Sequence, residues 1–275
     1  VTVLTLAVLA CSEYSVKPPV DRAEPPVDTG APPTPTTEPT TPVTTPPVEP
    51  HTGTPEPTET TPVAEAPVYA HTSAELFEID PRTGARTRVG AFSYAGQPMD
   101  GMVDLAIDLQ GRMYGGTFDA LYRVDPTNAQ LTKVCDTDLA PYALAFTSDG
   151  VLFAGAGSDV VQVSTVSCAT RPLLTSSPYQ TSGDLVGLPD GWLYWTVRGA
   201  NGDELVRVDP TDGRTQWVGP IAASRLFGLG YDDGELFGFS ADGDIVTIDP
   251  ADASTGALVS DGTAWWGATT NPVQW

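Results

Sequence analysis

His71 is the only histidine in the C-terminal three quarters of the chain, and His51 lies in a proline-rich tract, so any triad or metal site needing two histidines is excluded by count. No Gly-x-Ser-x-Gly, Walker loop, His-Glu-x-x-His or Cys-x-x-Cys occurs, which removes the common hydrolase, nucleotide and zinc signatures. What remains is carboxylate chemistry. Asp232-Asp233, Asp242-Gly243-Asp244 and Asn201-Gly202-Asp203-Glu204 offer oxygen ligands that Ca2+ accepts. None follows the twelve-residue loop spacing, and turn capping and solvation account better for such clusters, so no cofactor is expected. Cys135 and Cys168 are a candidate disulfide, but the sequence leaves the bonded and free states both open. Six tryptophans, Trp192, Trp195, Trp217, Trp265, Trp266 and Trp275, crowd the last third, suited to packing between sheets or to stacking on sugar rings.

Such residues act only where a scaffold brings them together, and the scaffold shows as a repeat. Leu76-Phe77-Glu78-Ile79-Asp80-Pro81 recurs as Leu121-Tyr122-Arg123-Val124-Asp125-Pro126, Leu205-Val206-Arg207-Val208-Asp209-Pro210 and Ile245-Val246-Thr247-Ile248-Asp249-Pro250. A worn copy, Val160-Val161-Gln162-Val163-Ser164-Thr165, keeps the apolar alternation and loses the Asp-Pro. The copies are about 40 to 45 residues apart, the period of a β-propeller blade. Each later unit reads as four short strands, with Asp149-Gly150, Asp190-Gly191 and Asp233-Gly234 supplying left-handed turn residues. The first unit lacks an opening strand, and Trp265-Trp266-Gly267-Ala268-Thr269-Thr270 reads as an opening strand with no unit after it. Joining the two predicts an all-β, five-bladed propeller closed by the C-terminal strand. Ala106, Ala145, Gly230 and Gly267 fall at similar points of the opening strands, where sheets converge on an axis. Asp104, Tyr142, Asp184, Arg225 and Trp265 fall near the starts of those strands, predicting one ligand site at a mouth of the central channel. His71 is expected to be a strand residue with a satisfied ring.

The N-terminal quarter is of another kind. Sixteen of the 27 prolines lie in the first 67 residues, as in Thr34-Pro35-Thr36-Thr37-Glu38-Pro39-Thr40-Thr41-Pro42, with almost no aromatic side chain, so this tract is expected to stay disordered and extended. Ahead of it, the apolar run Val1 to Ala10 is too short to span a bilayer and fits a signal-peptide core. Residue 1 is not Met and no basic segment precedes the run, so the start is taken as truncated. The expected division is 1–10 signal peptide, 11–66 lipidated Cys11 and disordered linker, and 67–275 propeller.

Val8-Leu9-Ala10-Cys11 resembles the lipobox of bacterial lipoproteins. That resemblance implies acyl chains on Cys11, and Ser12 after it, where an Asp would retain the protein in the inner membrane, implies an outer-membrane or cell-surface address. The repeat units resemble bacterial propellers of the NHL-like, YVTN-like and streptogramin lyase-like superfamily, whose strands read Leu-Tyr-x-Val-Asp-Pro-x-Thr-Gly. The likeness spans about residues 67 to 275 and implies a fold far more than a function. Five-bladed glutamine cyclotransferase-like enzymes are a second resemblance, with no catalytic residue that maps here. The formal net charge of -22 argues against nucleic acid as a partner and for a soluble, monomeric head. Two functions follow as expectations: a non-catalytic lipoprotein displaying a propeller to a protein or carbohydrate, or an extracytoplasmic lyase or cyclotransferase-like enzyme. The second needs carboxylates and His71 to converge in the channel.

Overall fold

The computed structural model describes residues 61–139, 141–260 and 262–275. The signal run, Cys11 and nearly all of the linker lie outside the described residues. In chain order the strands are β1 (Val68–His71), β2 (Glu75–Ile79), β3 (Arg86–Ala91), β4 (Ser93–Tyr94), β5 (Gln97–Pro98), β6 (Asp104–Ile107), β7 (Met113–Gly116), β8 (Ala120–Val124), β9 (Gln130–Asp136), β10 (Ala143–Phe146) and β11 (Leu152–Ala156). They continue with β12 (Asp159–Val163), β13 (Thr170–Leu174), β14 (Thr181–Gly187), β15 (Leu193–Arg198), β16 (Asp203–Val208), β17 (Thr215–Pro220), β18 (Leu226–Asp232), β19 (Glu235–Ser240), β20 (Asp244–Ile248), β21 (Thr255–Ser260) and β22 (Gly267–Thr270), before a 3-10 turn at Pro272–Gln274.

These strands form five antiparallel blades. Blade 1 has the order β22-β1-β2-β3, so its innermost strand comes from the far end of the chain. The pairing Val68↔Thr270, Tyr69↔Thr269, Ala70↔Ala268 and His71↔Gly267 closes the circle as the unpartnered C-terminal segment predicts. Around the axis β6 touches β10, β10 touches β14, β14 touches β18, β18 touches β22, and β22 touches β6. The ring is complete, and no inner sheet edge is left open. The short hairpin β4–β5 adds to blade 2, with β4 running parallel to the outer strand β9.

The apolar side chains gather in five clusters, each drawn from two neighbouring blades. Tyr69, Leu76 and Phe92 of blade 1 meet Leu105 and Met113 of blade 2 in one, and Phe77, Phe237, Phe239 and Trp265 join blades 5 and 1 in another. Blades are therefore buried on both faces, which is why β1, β6 and β10 read as unbroken buried runs while the outer strands are largely exposed. The repeated Asp-Pro is a turn device. Asp80, Asp125, Asp209 and Asp249 each accept a backbone N–H two residues on, at 2.8–2.9 Å, and Ser164 does the same for Val166 in the worn copy. Four residues after each cap the chain turns left-handed, at Gly84, Ala129, Cys168, Gly213 and Ala253.

That turn meets the outer strand of the preceding blade at every seam. A Cβ on Gly90 would lie 2.6 Å from Asn128 O, one on Gly213 2.6 Å from Leu173 O, one on Gly219 2.4 Å from Asp252 O, and one on Gly84 2.4 Å from Val259. At the seam of blades 2 and 3 the equivalent residues are Cys135 and Cys168, joined by a disulfide with Cα atoms 5.9 Å apart. By strand direction alone, the end of an outer strand and the last hairpin of the next blade belong to opposite faces. Sheet twist and a register shift at the same point of each outer pair, for example between Leu121 and Tyr122, carry the outer strand across the rim instead.

Contacts with the propeller include residues before 67. Ala64 is buried, its N–H donates to Gly111 O at 2.7 Å, and the buried Asn271 donates through Nδ2 to the carbonyls of Ala64 and Ala66 at 3.0 and 3.1 Å.

Candidate functional site: an axial His-Asp-Asp cluster under an open aromatic rim

In an antiparallel blade the start of the inner strand, the end of the second and the start of the third share one face. That rule places His71, which ends β1, beside Asp104, which begins β6, and puts Phe118, Tyr142 and Arg225 in loops of the same face. The register sets the level along the axis. Gly267 pairs with His71, Asp104 with Gly116 and Ala143 with Gly155, so Gly267, Asp104 and Ala143 are equivalent. Asp184 and Gly228 are the corresponding residues of β14 and β18. Gly267 thus sits two residues away from the layer of Ala106, Ala145 and Gly230 to which the spacing had assigned it. The pairing Ala106↔Tyr114, Ala145↔Phe153 and Gly230↔Phe237 has Tyr69↔Thr269 as its blade 1 member. Close approach still matters in the small-residue strands, since a Cβ on Gly187 would fall 2.1 Å from Phe146 O and one on Gly230 2.6 Å from Val68.

At the axial level two carboxyls and an imidazole converge, all at 0 % exposure. The His71 Nε2 to Asp104 Oδ1 distance is 3.9 Å. His71 Nδ1 is 2.8 Å from Thr72 O, which makes Nδ1 the protonated nitrogen of the neutral ring and leaves the lone pair on Nε2. Burial pulls the imidazole down to about 4, against the opposing effect of the Thr72 carbonyl. Asp104 Oδ2 accepts from Leu144 N at 2.5 Å. Asp184 accepts from the backbone N–H groups of Leu185 and Leu229, and also from Ala268. Burial raises both carboxyls, Asp184 to about 8 and Asp104 well above the usual carboxylate range, with the charge of Asp184 adding to the rise at Asp104. Interaction with Asp184 adds to the rise at Asp104, so the pair retains a proton.

The five residues expected to form one mouth site fall in three places. Asp104 and Asp184 are sealed on the axis. Trp265 is also fully buried, but in the seam between blades 5 and 1, edge-on to Phe77 and Phe239 at 5.6 Å each, and not in the channel. Tyr142, 41 % exposed, stands on the rim against Phe118, equally exposed, with ring centroids 5.8 Å apart. Arg225 is on the same face in an exposed ion pair with Asp242. Starts of inner strands do share a face, but residues one or two positions apart reach the axis, a seam or the solvent, and spacing alone does not separate them.

Two participants were undervalued from sequence. His71, expected to have both ring nitrogens satisfied, leaves Nε2 without a partner. Its place across from Gly267 was readable from the Tyr69 slot once the closing strand was registered. Asp203 lies in the seam of blades 4 and 5, where its Oδ2 accepts from Leu226 N at 2.7 Å. Burial raises its pKa, an effect no composition pattern announces. Among the described residues no group of three or more His, Cys, Asp or Glu side chains is placed to hold a metal ion. At the other end of the inner strands Pro272 and Trp275 line a cavity of about 10 Å3 together with Leu144 and Leu185, and Trp275 Nε1 donates to Thr270 Oγ1 at 3.3 Å.

No family model matches this chain, and no curated protein matches it. Among solved structures, a chain in a nidogen/laminin complex is similar with a TM-score of 0.50 and 13% identity, over 76% of this chain and 98% of that one. A symmetrical protein of de novo evolutionary emergence is similar with a TM-score of 0.53 and 17% identity, over 74% of this chain and 98% of that one. At these identities the likeness shows the fold. Among the described residues no helix is long and apolar enough to cross a membrane.

Proposed function

We propose that this chain is an envelope-anchored binding protein. Acyl chains on Cys11 hold it to the outer membrane or cell surface, the Pro/Thr-rich tract spaces it from the bilayer, and the propeller presents a non-catalytic recognition face to a protein or glycan. The observation that carries this is the separation of reactive groups from accessible ones. His71, Asp104 and Asp184 have no exposure, whereas Phe118 and Tyr142 are both 41 % exposed on one rim. A general acid or base must come within hydrogen-bond reach of its substrate, and a substrate cannot reach these three. Rigid aromatic rings on a scaffold supply contact area at small entropic cost, the usual character of a recognition surface.

The test uses the full chain with Cys11→Ser, which abolishes lipid attachment. Glycan arrays and pull-downs from envelope extracts identify a ligand, and the Phe118→Ala/Tyr142→Ala pair is then expected to weaken binding at least tenfold with the melting temperature unchanged. Binding that ignores both substitutions sinks the rim assignment. Labelled palmitate incorporated into the Cys11 protein, and lost in the Ser variant, tests the anchor.

A second reading, an extracytoplasmic lyase or cyclotransferase-like enzyme, is favoured by one observation: carboxylates and His71 do converge on the axis. It requires the ring to open to substrate. Turnover of any small substrate that Asp104→Asn abolishes would establish it over the binding reading.

A further inference from the structure

Two polar atoms on the axis are left unsatisfied by the protein. His71 Nε2 and Asp104 Oδ1 face each other at 3.9 Å, both fully buried and both without a hydrogen-bond partner on the chain. Buried polar atoms are overwhelmingly paired, and an orphan loses the hydration it had in the unfolded chain. Neither side chain can turn away freely. The His71 ring is pinned by Nδ1 to Thr72 O and lies edge-on to Phe92 at 5.9 Å, and Asp104 is held by Leu144 N through its other oxygen.

The separation is too long for a direct hydrogen bond. It suits one intervening oxygen: two atoms 3.9 Å apart, each about 2.8 Å from a common oxygen, subtend roughly 90° there, near the spread of water's two O–H bonds. Gly267 borders that place. A Cβ on Gly267 would stand 2.3 Å from His71 Nε2 and 2.5 Å from Asp104 Oδ1, so any side chain on this residue would intrude between them. The other residues at this level include the small Ala143 and Gly228.

We propose that the propeller axis holds one buried water, hydrogen-bonded to His71 Nε2 and Asp104 Oδ1, at a site that Gly267 keeps free of a side chain. The water completes a polar chain across the axis, from His71 of blade 1 through Asp104 of blade 2 to Asp184 of blade 4. Backbone donors bring in the rest: Leu144 of blade 3 binds Asp104, while Leu229 of blade 5 and Ala268 of blade 1 bind Asp184. All five blades then share one hydrogen-bonded centre in a molecule whose apolar cores join them only in pairs. A buried water with two or three polar partners is an ordinary structural component, and its loss is costly.

The test is a crystal structure of the protein at a resolution of about 1.6 Å or better. The expected result is an isolated density peak about 2.6–3.2 Å from both atoms. No peak, a direct His71–Asp104 hydrogen bond, or a peak with anomalous signal and contacts of about 2.0–2.2 Å, the mark of a metal ion, would each overturn the proposal. In solution, 17O magnetic relaxation dispersion counts long-lived internal waters. Gly267→Ala is expected to lower that count by one, and a folded variant with an unchanged count refutes the assignment.

Discussion

Asp104→Asn should flatten the fall in stability of this protein at alkaline pH. In the native state a proton is held on the Asp104–Asp184 pair, because burial and mutual repulsion raise both carboxyls above their ordinary range, whereas in the unfolded chain each releases its proton near pH 4. Above pH 4 the native state therefore binds more protons than the unfolded one, and stability declines as pH rises until the native pair itself ionises. One retained proton gives a slope of about 1.4 kcal/mol per pH unit. His71 works with the opposite sign. Its native pKa is depressed to about 4, so stability is lost as pH falls from about 6.5, where the unfolded imidazole takes a proton, toward about 4. The two slopes oppose each other between pH 4.5 and 6, and the carboxyl slope stands alone above about pH 6.5. An asparagine fits the site: its oxygen accepts from Leu144 N, as Asp104 Oδ2 does, and its NH2 points toward the Nε2 lone pair of His71 and the carboxyl of Asp184. Relative to wild type the variant should gain about 1.4 kcal/mol for each pH unit above pH 5 over which the native pair keeps its proton. Urea unfolding followed by tryptophan fluorescence at pH 5, 6, 7 and 8 and fixed ionic strength measures it. Contributions from the surface carboxylates are common to both proteins and cancel in the difference. Parallel pH curves for the two proteins would refute the shared-proton account.

Two other perturbations bear on the scaffold. Cys135→Ser/Cys168→Ser removes the cross-link between blades 2 and 3, which closes a sequence separation of 33. Chain-entropy reasoning assigns such a link about 3–4 kcal/mol, so calorimetry should show a melting point roughly 10 °C lower, and wild type in reductant should fall by a similar amount. Gly187→Ala should prevent folding or cost more than about 3 kcal/mol, because the added methyl would lie 2.1 Å from the backbone oxygen of Phe146 and blades 3 and 4 would have to part. A soluble Gly187→Ala protein with a near-normal melting curve would show that seam to be looser than its geometry.

Much of this architecture is local, and local features are what a sequence carries. The Asp-Pro segments announced blades because the cap, the left-handed position four residues on and the apolar alternation lie within about ten residues of one another. The closing strand was legible from a deficit, one inner strand too few at the start and one too many at the end, and β22 beside β1 answers it. The arrangement of the site was not legible, for a physical reason. Whether Asp104, Trp265 and Tyr142 reach the axis, a seam or the solvent depends on differences of one or two residues in position along strands that meet only after the ring has closed. The low dielectric that raises Asp104 and Asp184 and lowers His71 exists only once all five inner strands have met around them. The joining of Cys135 to Cys168 likewise depends on twist accumulated across whole sheets, which no segment contains by itself.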